Sequence, residues 1–395
     1  MKSIKVSSAN LQSKVICPTS KSYANRALVL AAIEPRDTEL VGMPISEDVD
    51  FMLDGLRGLG LEISQVSNGV VIKGSIDTAK QVSNIFLGEG GTTIRFFIAL
   101  VSLMDTPVEF SVEPRFLKRP IDEYCDLLRK LGVEVEVKES SIKVTGPIKQ
   151  GQSLEVDCSK TTQFASALEL ISSKAGLEIV PVNLEASGNY FEMTKNVQSD
   201  IQASPVYKVP VDYSSFGYFA AFAALTETVR VKNAFSKDPL QGDSQILDFI
   251  KDMGGDYKFS DDGVDIYPIR EPKSIEVDGS GCIDLVPTLM VLMAYSGKVQ
   301  KIKNIKNLEY KECDRLEEMQ RILDLFEIKH EYDQSQDIFT IHGDSPKMKT
   351  VSVEAAHDHR MVMCAALLCK LNGGGEVSPG EAVKKSFGNF FNYFK

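Results

Sequence analysis

The 395-residue chain is long enough for two domains, and its 43% hydrophobic and 25% charged residues are typical of a globular protein. Its net charge of −11 argues against a nucleic-acid partner, because nucleic-acid-binding surfaces concentrate positive charge. No apolar run reaches the roughly 20 residues of a membrane span, the first residues lack a signal-peptide core, and the seven cysteines form no CxxC pair. We therefore predict a cytoplasmic protein with reduced thiols and without a membrane or nucleic-acid partner.

The most informative segment is a helix whose first turn carries cations and hydroxyl groups. Residues 20–33 follow Pro18 and read SKSYANRALVLAAI, which places Lys21 and Arg26 among polar side chains before an apolar run. A helix start has free N–H groups and a positive dipole end, so added cations favour anion binding over helix stability. An ordinary N-cap followed by two surface cations would produce the same pattern.

The same pattern occurs five more times along the chain. Apolar helical segments with a polar start begin at Gly88, Ser159, Asp212, Asp284 and Asp358. Helices with so little polar face are expected to be buried. We predict six buried helices whose N-termini point into one cleft that handles anions.

A second repeated unit surrounds these helices. Segments 51–74, 124–146, 246–267 and 319–343 each read as an amphipathic helix, a short turn and a two-stranded hairpin. Together with the apolar helices they indicate about six related βαβαββ units, three per domain, in an α/β fold. We predict the domain boundary at 238–239, and the first 19 residues could join either half.

Four short motifs could carry chemistry, and each has a structural alternative. KECDR at 311–315 places Glu312 between cations as a candidate proton-transfer group, or it is a solvated, self-paired helix start. EPRFLKRP at 113–120 is suited to binding phosphate or carboxylate, or is a basic surface loop. TTQ at 161–163 places two hydroxyls and an amide at a helix start. DHR at 358–360 is either a His–Asp pair beside an arginine or a capping aspartate.

Several familiar catalytic motifs are absent from the sequence. It contains no Walker loop, no complete GxGxxG, no GxSxG and no Cys/His metal pattern. The remaining cations, hydroxyls and few carboxylates suit the transfer of a group between anionic small molecules by acid–base catalysis, without a cofactor or a metal.

In this order, SKSxxNRAL, GTTxR, EPRxxxRP, QGD, KExDR and DHRMxM resemble the 3-phosphoshikimate 1-carboxyvinyltransferase (EPSP synthase) family over essentially the whole chain. The resemblance implies a two-domain inside-out α/β barrel with three βαβαββ units per domain around buried helices and an active site in the interdomain cleft. It implies that residues 1–19 return to the C-terminal, phosphoenolpyruvate-side domain (239–395), and that residues 20–238 form the shikimate 3-phosphate-side domain. It also implies an enzyme that transfers the enolpyruvyl group of phosphoenolpyruvate to the 5-hydroxyl of shikimate 3-phosphate through a tetrahedral ketal. We expect the protein to be a monomer.

The resemblance also assigns residue roles, which we carry as expectations. Catalysis would fall to Asp284 as the base for the 5-hydroxyl, Glu312 as the acid for the methylene carbon, and Lys21. Shikimate 3-phosphate would be bound by Lys21, Ser22, Arg26, Thr161, Thr162, Gln163, Ser187, Tyr190, Asp284, Asn307 and Lys311. Phosphoenolpyruvate would be bound by Lys21, Gly91, Arg115, Gln163, Arg315, His359, Arg360 and Lys385.

The sequence departs from the family pattern at Thr19, Glu89, Phe96, Glu309 and Gly388. Glu89 stands where the family has asparagine, and a carboxylate beside an anion site is expected to weaken binding of phosphoenolpyruvate or of an anionic inhibitor such as glyphosate.

The amino-acid sequence leaves two alternatives open. The sister enzyme that acts on UDP-N-acetylglucosamine has a cysteine where this chain has Pro114, and KExDR favours shikimate. The other alternative is a catalytically silent, anion-binding relative, against which stand the intact residues Lys21, Asp284, Glu312, Arg315 and Lys385.

Overall fold

The computed structural model describes residues 2–184, 188–343 and 348–395, so the predicted ligand residue Ser187 lies outside the described residues. The chain divides into two compact units. The N-terminal unit is Thr19–Pro210, and the C-terminal unit combines Met1–Pro18 with Val211–Lys395.

The helices of the described residues are α1 (Lys21–Ile33), α2 (Glu47–Gly58), α3 (Gly91–Val101), α4 (Asp122–Lys130), α5 (Gln163–Ala175), α6 (Asn189–Ala203), α7 (Tyr213–Leu225), α8 (Ile246–Asp252), α9 (Val286–Ala294), α10 (Arg315–Leu325), α11 (His359–Leu371) and α12 (Phe391–Phe394). The strands are β1 (Ile4–Val6), β2 (Lys14–Val15), β3 (Thr38–Val41), β4 (Glu62–Val66), β5 (Gly69–Lys73), β6 (Val108–Ser111), β7 (Glu134–Val137), β8 (Ser141–Thr145), β9 (Ser153–Asp157), β10 (Glu178–Val182), β11 (Val206–Lys208), β12 (Val229–Val231), β13 (Asp256–Ser260), β14 (Gly263–Tyr267), β15 (Glu276–Asp278), β16 (Gln300–Lys303), β17 (His330–Asp333), β18 (Ile338–Ile341), β19 (Val351–Glu354) and β20 (Gly375–Ser378).

The core of the N-terminal unit is a group of three helices, α1, α3 and α5, which pack against one another. Almost all of their side chains are buried, because each is apolar on nearly every side. Around this core lie the sheets β11-β3-β5-β4, β6-β8-β7 and the parallel pair β10-β9. The amphipathic helix α2 presents its apolar face to α1 and α3. Burial of apolar surface therefore selects the arrangement, at roughly 25 cal/mol for each Å² removed from water.

The C-terminal unit repeats this plan with α7, α9 and α11 as its central helices. Its sheets are β13-β14-β12-β2, β15-β16-β18-β17 and β1-β20-β19. The first residues of the chain complete two of these sheets, because β1 pairs with β20 and β2 pairs with β12. The predicted apolar helices and the four predicted helix–hairpin segments are thus all confirmed.

The chain passes from the N-terminal to the C-terminal unit between Pro210 and Val211, whereas the sequence placed that crossing at 238–239. The 28 residues between the two positions hold α7, which packs on α9 and α11, and β12, which pairs with β2 and β14. An all-round apolar helix such as α7 carries no sequence signal that says which core it joins, so only tertiary packing decides its unit.

We find no helix among the described residues that has both the length and the apolar character required to span a bilayer.

Candidate functional site

The start of α1 holds Lys21 against a carboxylate that the sequence analysis did not single out. Lys21 Nζ lies 2.8 Å from Asp48 Oδ2, and the Asp48 side chain is only 3% exposed. The Asp48 carbonyl accepts a hydrogen bond of 2.9 Å from Thr93 Oγ1, which ties the start of α2 to α3. Asp48 therefore fixes the position of a lysine that would otherwise move on a flexible stem.

Arg26 lies deeper, one turn along α1, and is 3% exposed. Its Nε donates to Thr194 Oγ1 at 2.8 Å, and its Nη2 donates to the Tyr190 carbonyl at 3.0 Å. Its Nη1 donates to the Ser22 carbonyl at 2.9 Å, and its guanidinium lies 5.1 Å from the centre of the Phe96 ring. Burial lowers the pKa of Arg26 to about 10, while nearby tyrosines act in the opposite direction. The guanidinium therefore links α1, α3 and α6 through its contacts, in addition to carrying a positive charge.

The N-terminus of α3 is surrounded by the groups expected for an anion site. A Cβ placed on Gly91 would lie 2.7 Å from Arg95 Nη1, 2.9 Å from Arg119 Nη1 and 3.0 Å from Gln163 Oε1. A Cβ at this position would push these side-chain ends away, so glycine lets them approach the helix start more closely than a larger residue would. Two guanidinium groups and the positive end of the helix dipole thus converge at one place.

The two arginines of the basic loop 113–120 lie at different positions. Arg119 approaches Gly91, whereas Arg115 forms an ion pair with Glu89 and is about 40% exposed. The sequence predicted Glu89 to lie near an anion site, and the structure pairs its carboxylate directly with a predicted phosphoenolpyruvate ligand.

The other predicted residues of the N-terminal unit lie at or near helix starts. Thr162 is the N-cap residue of α5 and is buried, and Thr161 Oγ1 accepts from the Gln163 N–H at 3.2 Å. Tyr190 lies in the first turn of α6, with its ring 5.8 Å from the Arg26 guanidinium. Ser22 lies in the first turn of α1 and is partly exposed.

Arg315 is the centre of the polar cluster of the C-terminal unit, and its side chain is 2% exposed. Its Nη1 donates to Asp284 Oδ1 at 2.9 Å, its Nη2 to Glu312 Oε2 at 2.6 Å, and its Nε to Asp358 Oδ2 at 2.8 Å. Burial acts to lower the pKa of Arg315, but the three carboxylates outweigh burial and hold the pKa above its ordinary value. KECDR is therefore paired within itself through Arg315 and Glu312, but its arginine is buried and also binds two carboxylates from outside the motif, so it is not a solvated helix start.

Glu312 and Asp284 are each held by further cations. Lys385 Nζ donates to Glu312 Oε1 at 2.9 Å, so each carboxylate oxygen of Glu312 contacts a cation. Lys311 Nζ lies 3.2 Å from Asp284 Oδ1, and Arg360 Nη2 lies 3.4 Å from Asp284 Oδ2. Burial acts to raise the pKa of Asp284, but Lys311, Arg360 and Arg315 together hold it well below its ordinary value.

The two readings of DHR are both correct in part. Asp358 is the N-cap residue of α11 and accepts from the Arg360 N–H at 2.8 Å. The same carboxylate binds Arg315, and His359 Nδ1 lies 3.6 Å from Asp358 Oδ1. Asn307 lies in the 3₁₀ turn Lys306–Tyr310, directly before Lys311, and is partly exposed. Among the residues that the structure describes, no three His, Cys, Asp or Glu side chains form a group suited to a metal ion.

The relationship to known proteins is decided by a sequence model described as EPSP synthase (3-phosphoshikimate 1-carboxyvinyltransferase), which matches residues 6–204 and 180–394. The chain belongs to the EPSP synthase family. A 3-phosphoshikimate 1-carboxyvinyltransferase of Pyrococcus abyssi is 31% identical over 96% of this chain and 94% of its own length. One of Clostridium kluyveri is 27% identical over 100% of this chain and 97% of its own length.

Two solved structures agree with the fold. The EPSP synthase of Acinetobacter baumannii has a TM-score of 0.78 at 22% identity and covers 99% of this chain and 97% of its own. An enolpyruvyl transferase of Streptomyces tendae has a TM-score of 0.72 at 12% identity and covers 98% of this chain and 95% of its own. The family resemblance and the α/β fold class predicted from the sequence are both confirmed.

Three residues beside the predicted EPSP synthase motifs were missed as functional candidates: Asp48, Ser214 and Asp243. Asp48 follows Ser46 and Glu47 at a helix start, where a lone sequence shows only a favourable acidic first turn. Asp243 belongs to the QGD motif, which was quoted for the resemblance without a role. Their partners lie 27 or more residues away, so no local pattern signals them.

Proposed function

We propose that this protein transfers the enolpyruvyl group of phosphoenolpyruvate to the 5-hydroxyl of shikimate 3-phosphate and releases phosphate. The observation that carries this proposal is the cluster in which Asp284 and Glu312 are held among Arg315 and three further cations. Membership of the EPSP synthase family supports it, as do the curated relatives named for this reaction.

Both substrates are highly anionic, so their binding needs cations whose positions are fixed in advance. In the N-terminal unit, we propose that Lys21, Ser22, Thr161, Thr162 and Gln163 bind shikimate 3-phosphate. Hydroxyls and amides at the starts of α1 and α5 supply directional hydrogen bonds, while Lys21 supplies charge.

Arg26 and Tyr190 complete this proposed set, together with Ser187 outside the described residues. Because the donors of Arg26 are largely engaged with Thr194 and main-chain carbonyls, we propose that it acts on the phosphate mainly through its charge and through the placement of Ser22 and Tyr190.

Phosphoenolpyruvate would be held through its carboxylate and phosphate. We propose Gly91, Arg115, Gln163 and Lys21 as its ligands in the N-terminal unit. In the C-terminal unit we propose Arg315, His359, Arg360 and Lys385, with Asn307 and Lys311 acting on shikimate 3-phosphate. Guanidinium groups suit this task because they bind carboxylate and phosphate with two parallel hydrogen bonds.

Asp284 would accept the proton of the 5-hydroxyl as its oxygen attacks C2 of phosphoenolpyruvate. At rest its pKa is depressed by three cations, which makes it a weak base. Anionic substrates that share Lys311, Arg360 and Arg315 would weaken that effect and raise the basicity of Asp284 when both substrates are bound.

At rest both oxygens of Glu312 accept from cations, so Glu312 would first take up a proton as the anionic substrates come to share Arg315 and Lys385. It would then deliver this proton to C3 as the C2–O bond forms, which gives the tetrahedral ketal. Phosphate then leaves from C2, and loss of a proton from the new methyl group restores the carbon–carbon double bond. The contacts of Glu312 with Arg315 and Lys385 fix its carboxyl group for both proton transfers.

A phosphate-release assay tests this function directly. The purified protein is expected to release phosphate only when both phosphoenolpyruvate and shikimate 3-phosphate are present. Release with UDP-N-acetylglucosamine in place of shikimate 3-phosphate would favour the sister activity, and binding without release would favour a silent relative. The monomeric state and the cytoplasmic location predicted from the sequence are part of this proposal.

A further inference from the structure

A serine and an aspartate that the proposed mechanism does not use lie directly behind Arg360. Arg360 Nη2 donates to Ser214 Oγ at 3.1 Å, and the Ser214 hydroxyl donates to Asp243 Oδ2. The same Nη2 atom lies 3.4 Å from Asp284 Oδ2. A chain of polar contacts thus runs from Asp243 through Ser214 to Arg360 and on to a proposed catalytic carboxylate.

This chain is built from three separate parts of the C-terminal unit. Ser214 is the second residue of α7, Arg360 lies in the first turn of α11, and Asp243 lies in the 3₁₀ turn Gly242–Gln245. The turn comes very close to the main chain, because a Cβ on Gly242 would lie 1.8 Å from the Gly281 carbonyl oxygen. Asp243 is therefore placed by tight backbone packing rather than by a flexible loop.

The contact with Asp243 determines the direction of the Ser214 hydroxyl. A serine hydroxyl has one donor and two acceptor sites. Since its proton is directed to the Asp243 carboxylate, its lone pairs are available to the Arg360 guanidinium. Without Asp243, the hydroxyl would be free to rotate its proton towards the arginine and repel it.

A buried carboxylate at this place needs a compensating role. Asp243 is 2% exposed. Burial raises the pKa of Asp243 to about 7, the charge of Arg360 acts to lower it, and Asp284 and Asp212 act to raise it. Such a group is unfavourable to bury unless its hydrogen bonds and charge are used.

The polar contacts hold only part of the Arg360 guanidinium. Its Nε atom is buried and has no hydrogen-bond partner within the described residues. Nη2 is thus held by Ser214 and Asp284, while 11% of the Arg360 side chain stays exposed, so a ligand can reach the guanidinium. A carboxylate or phosphate oxygen is the acceptor that such a held guanidinium binds best.

We propose that Asp243 and Ser214 are positioning residues that hold the Arg360 guanidinium for the anionic groups of phosphoenolpyruvate. The proposal rests on the proposed function for the identity of that ligand. Neither residue touches substrate, and both act through the orientation of Arg360.

The test compares Ser214→Ala and Asp243→Asn with the wild type. Both variants are expected to raise the KM for phosphoenolpyruvate about five- to tenfold, since each loses or weakens one hydrogen bond to a charged group. The KM for shikimate 3-phosphate is expected to stay within twofold. Ser214→Thr keeps the hydroxyl and is expected to recover most of the affinity.

Ser215→Ala is the matched control. The Ser215 hydroxyl, in the first turn of α7, also donates to a buried aspartate, at 2.6 Å to Asp212 Oδ2, but within the described residues no hydrogen bond joins it to Arg360. An equal rise in the phosphoenolpyruvate KM in Ser215→Ala, or no rise in Ser214→Ala, would overturn the proposal.

Calorimetric titration with phosphoenolpyruvate alone gives a readout that does not need turnover. Ser214→Ala is expected to weaken this binding relative to Ser215→Ala, and equal binding would overturn the positioning role. A wild type that binds phosphoenolpyruvate but releases no phosphate would contradict the proposed function and leave this comparison intact.

Discussion

Replacing Glu312 with glutamine removes the proposed proton donor with little change of shape. The wild-type carboxylate, 13% exposed, accepts 2.6 Å from Arg315 Nη2 and 2.9 Å from Lys385 Nζ. Glutamine keeps one acceptor oxygen but turns an amide NH₂ group towards the other cation. Because Arg315 retains Asp284 and Asp358, the cluster is expected to persist in the variant.

The expected loss is in catalysis rather than in folding. General acid–base catalysis contributes about 10²–10⁴-fold to a rate, so kcat for Glu312→Gln is expected to fall by that factor, or about 3–5 kcal/mol in the activation free energy. The free energy of unfolding is expected to fall by about 1–3 kcal/mol, since one charge-assisted hydrogen bond is lost. Binding of shikimate 3-phosphate is expected to remain within about threefold, a small change beside the catalytic loss.

Steady-state phosphate release measures kcat, and calorimetric titration with shikimate 3-phosphate measures binding. Glu317→Gln is the matched control, because this substitution removes the same charge from an exposed residue in the first turn of α10, outside the cluster. If Glu312→Gln retained kcat within about threefold of the wild type, the proton-transfer role of Glu312 would be refuted.

Three further variants test other parts of the site. Arg26→Ala is expected to raise the KM for shikimate 3-phosphate at least tenfold and to lower the free energy of unfolding by about 2–3 kcal/mol, because acceptors buried around Arg26 lose their donor. Steady-state kinetics measures the KM and urea unfolding measures the stability, and an effect on the phosphoenolpyruvate KM alone would contradict the proposed role of Arg26. Glu89→Asn releases Arg115 from its ion pair and is expected to tighten binding of phosphoenolpyruvate or glyphosate about two- to fivefold, the range of ion pairs near the surface. Unchanged calorimetric titrations with both ligands would show that Glu89 does not compete with them for Arg115. Asp243→Asn tests the effect of pH on stability. The pKa of the Asp243 carboxyl group is about 7 in the folded protein and about 3.9 in an unfolded chain, so between these pH values the folded wild type holds a proton that the unfolded chain has lost. The wild type therefore loses stability as the pH rises from about 3.9 to about 7. Asparagine does not titrate, so the stability of Asp243→Asn relative to the wild type is expected to increase from pH 5 to pH 7 and then level off, by a few kcal/mol at most; parallel urea-midpoint curves between pH 5 and 8 would contradict this.

Much of the secondary structure follows from local patterns in the sequence. The six predicted apolar helices correspond to α1, α3, α5, α7, α9 and α11, because hydrophobic periodicity and helix-start residues act over a few turns of chain. The amphipathic helix and hairpin of segment 319–343 appear as α10, β17 and β18 for the same reason.

The partners of the site residues do not follow from local patterns. Lys21 and Asp48 are 27 residues apart, and Arg315 and Asp358 are 43 apart. Lys21 and Arg315 stand out in the sequence as cations in short polar motifs, but a single sequence holds no signal that pairs them with these carboxylates. The domain boundary at 210–211 was not predicted for the same reason: α7 is apolar on every side, so its sequence does not indicate which helices it packs against.

By itself, therefore, the amino-acid sequence determined the helices, the hairpins, the cations at the helix starts and the membership of the EPSP synthase family. Each of these depends on residues close together in the chain or on motifs in a characteristic order. The tertiary structure alone decided which carboxylates hold Lys21 and Arg315, that Glu89 binds Arg115, and that Asp243 and Ser214 stand behind Arg360. Ion pairs and hydrogen bonds act over a few ångströms in space, so burial of the helices in a common core must first bring distant residues together.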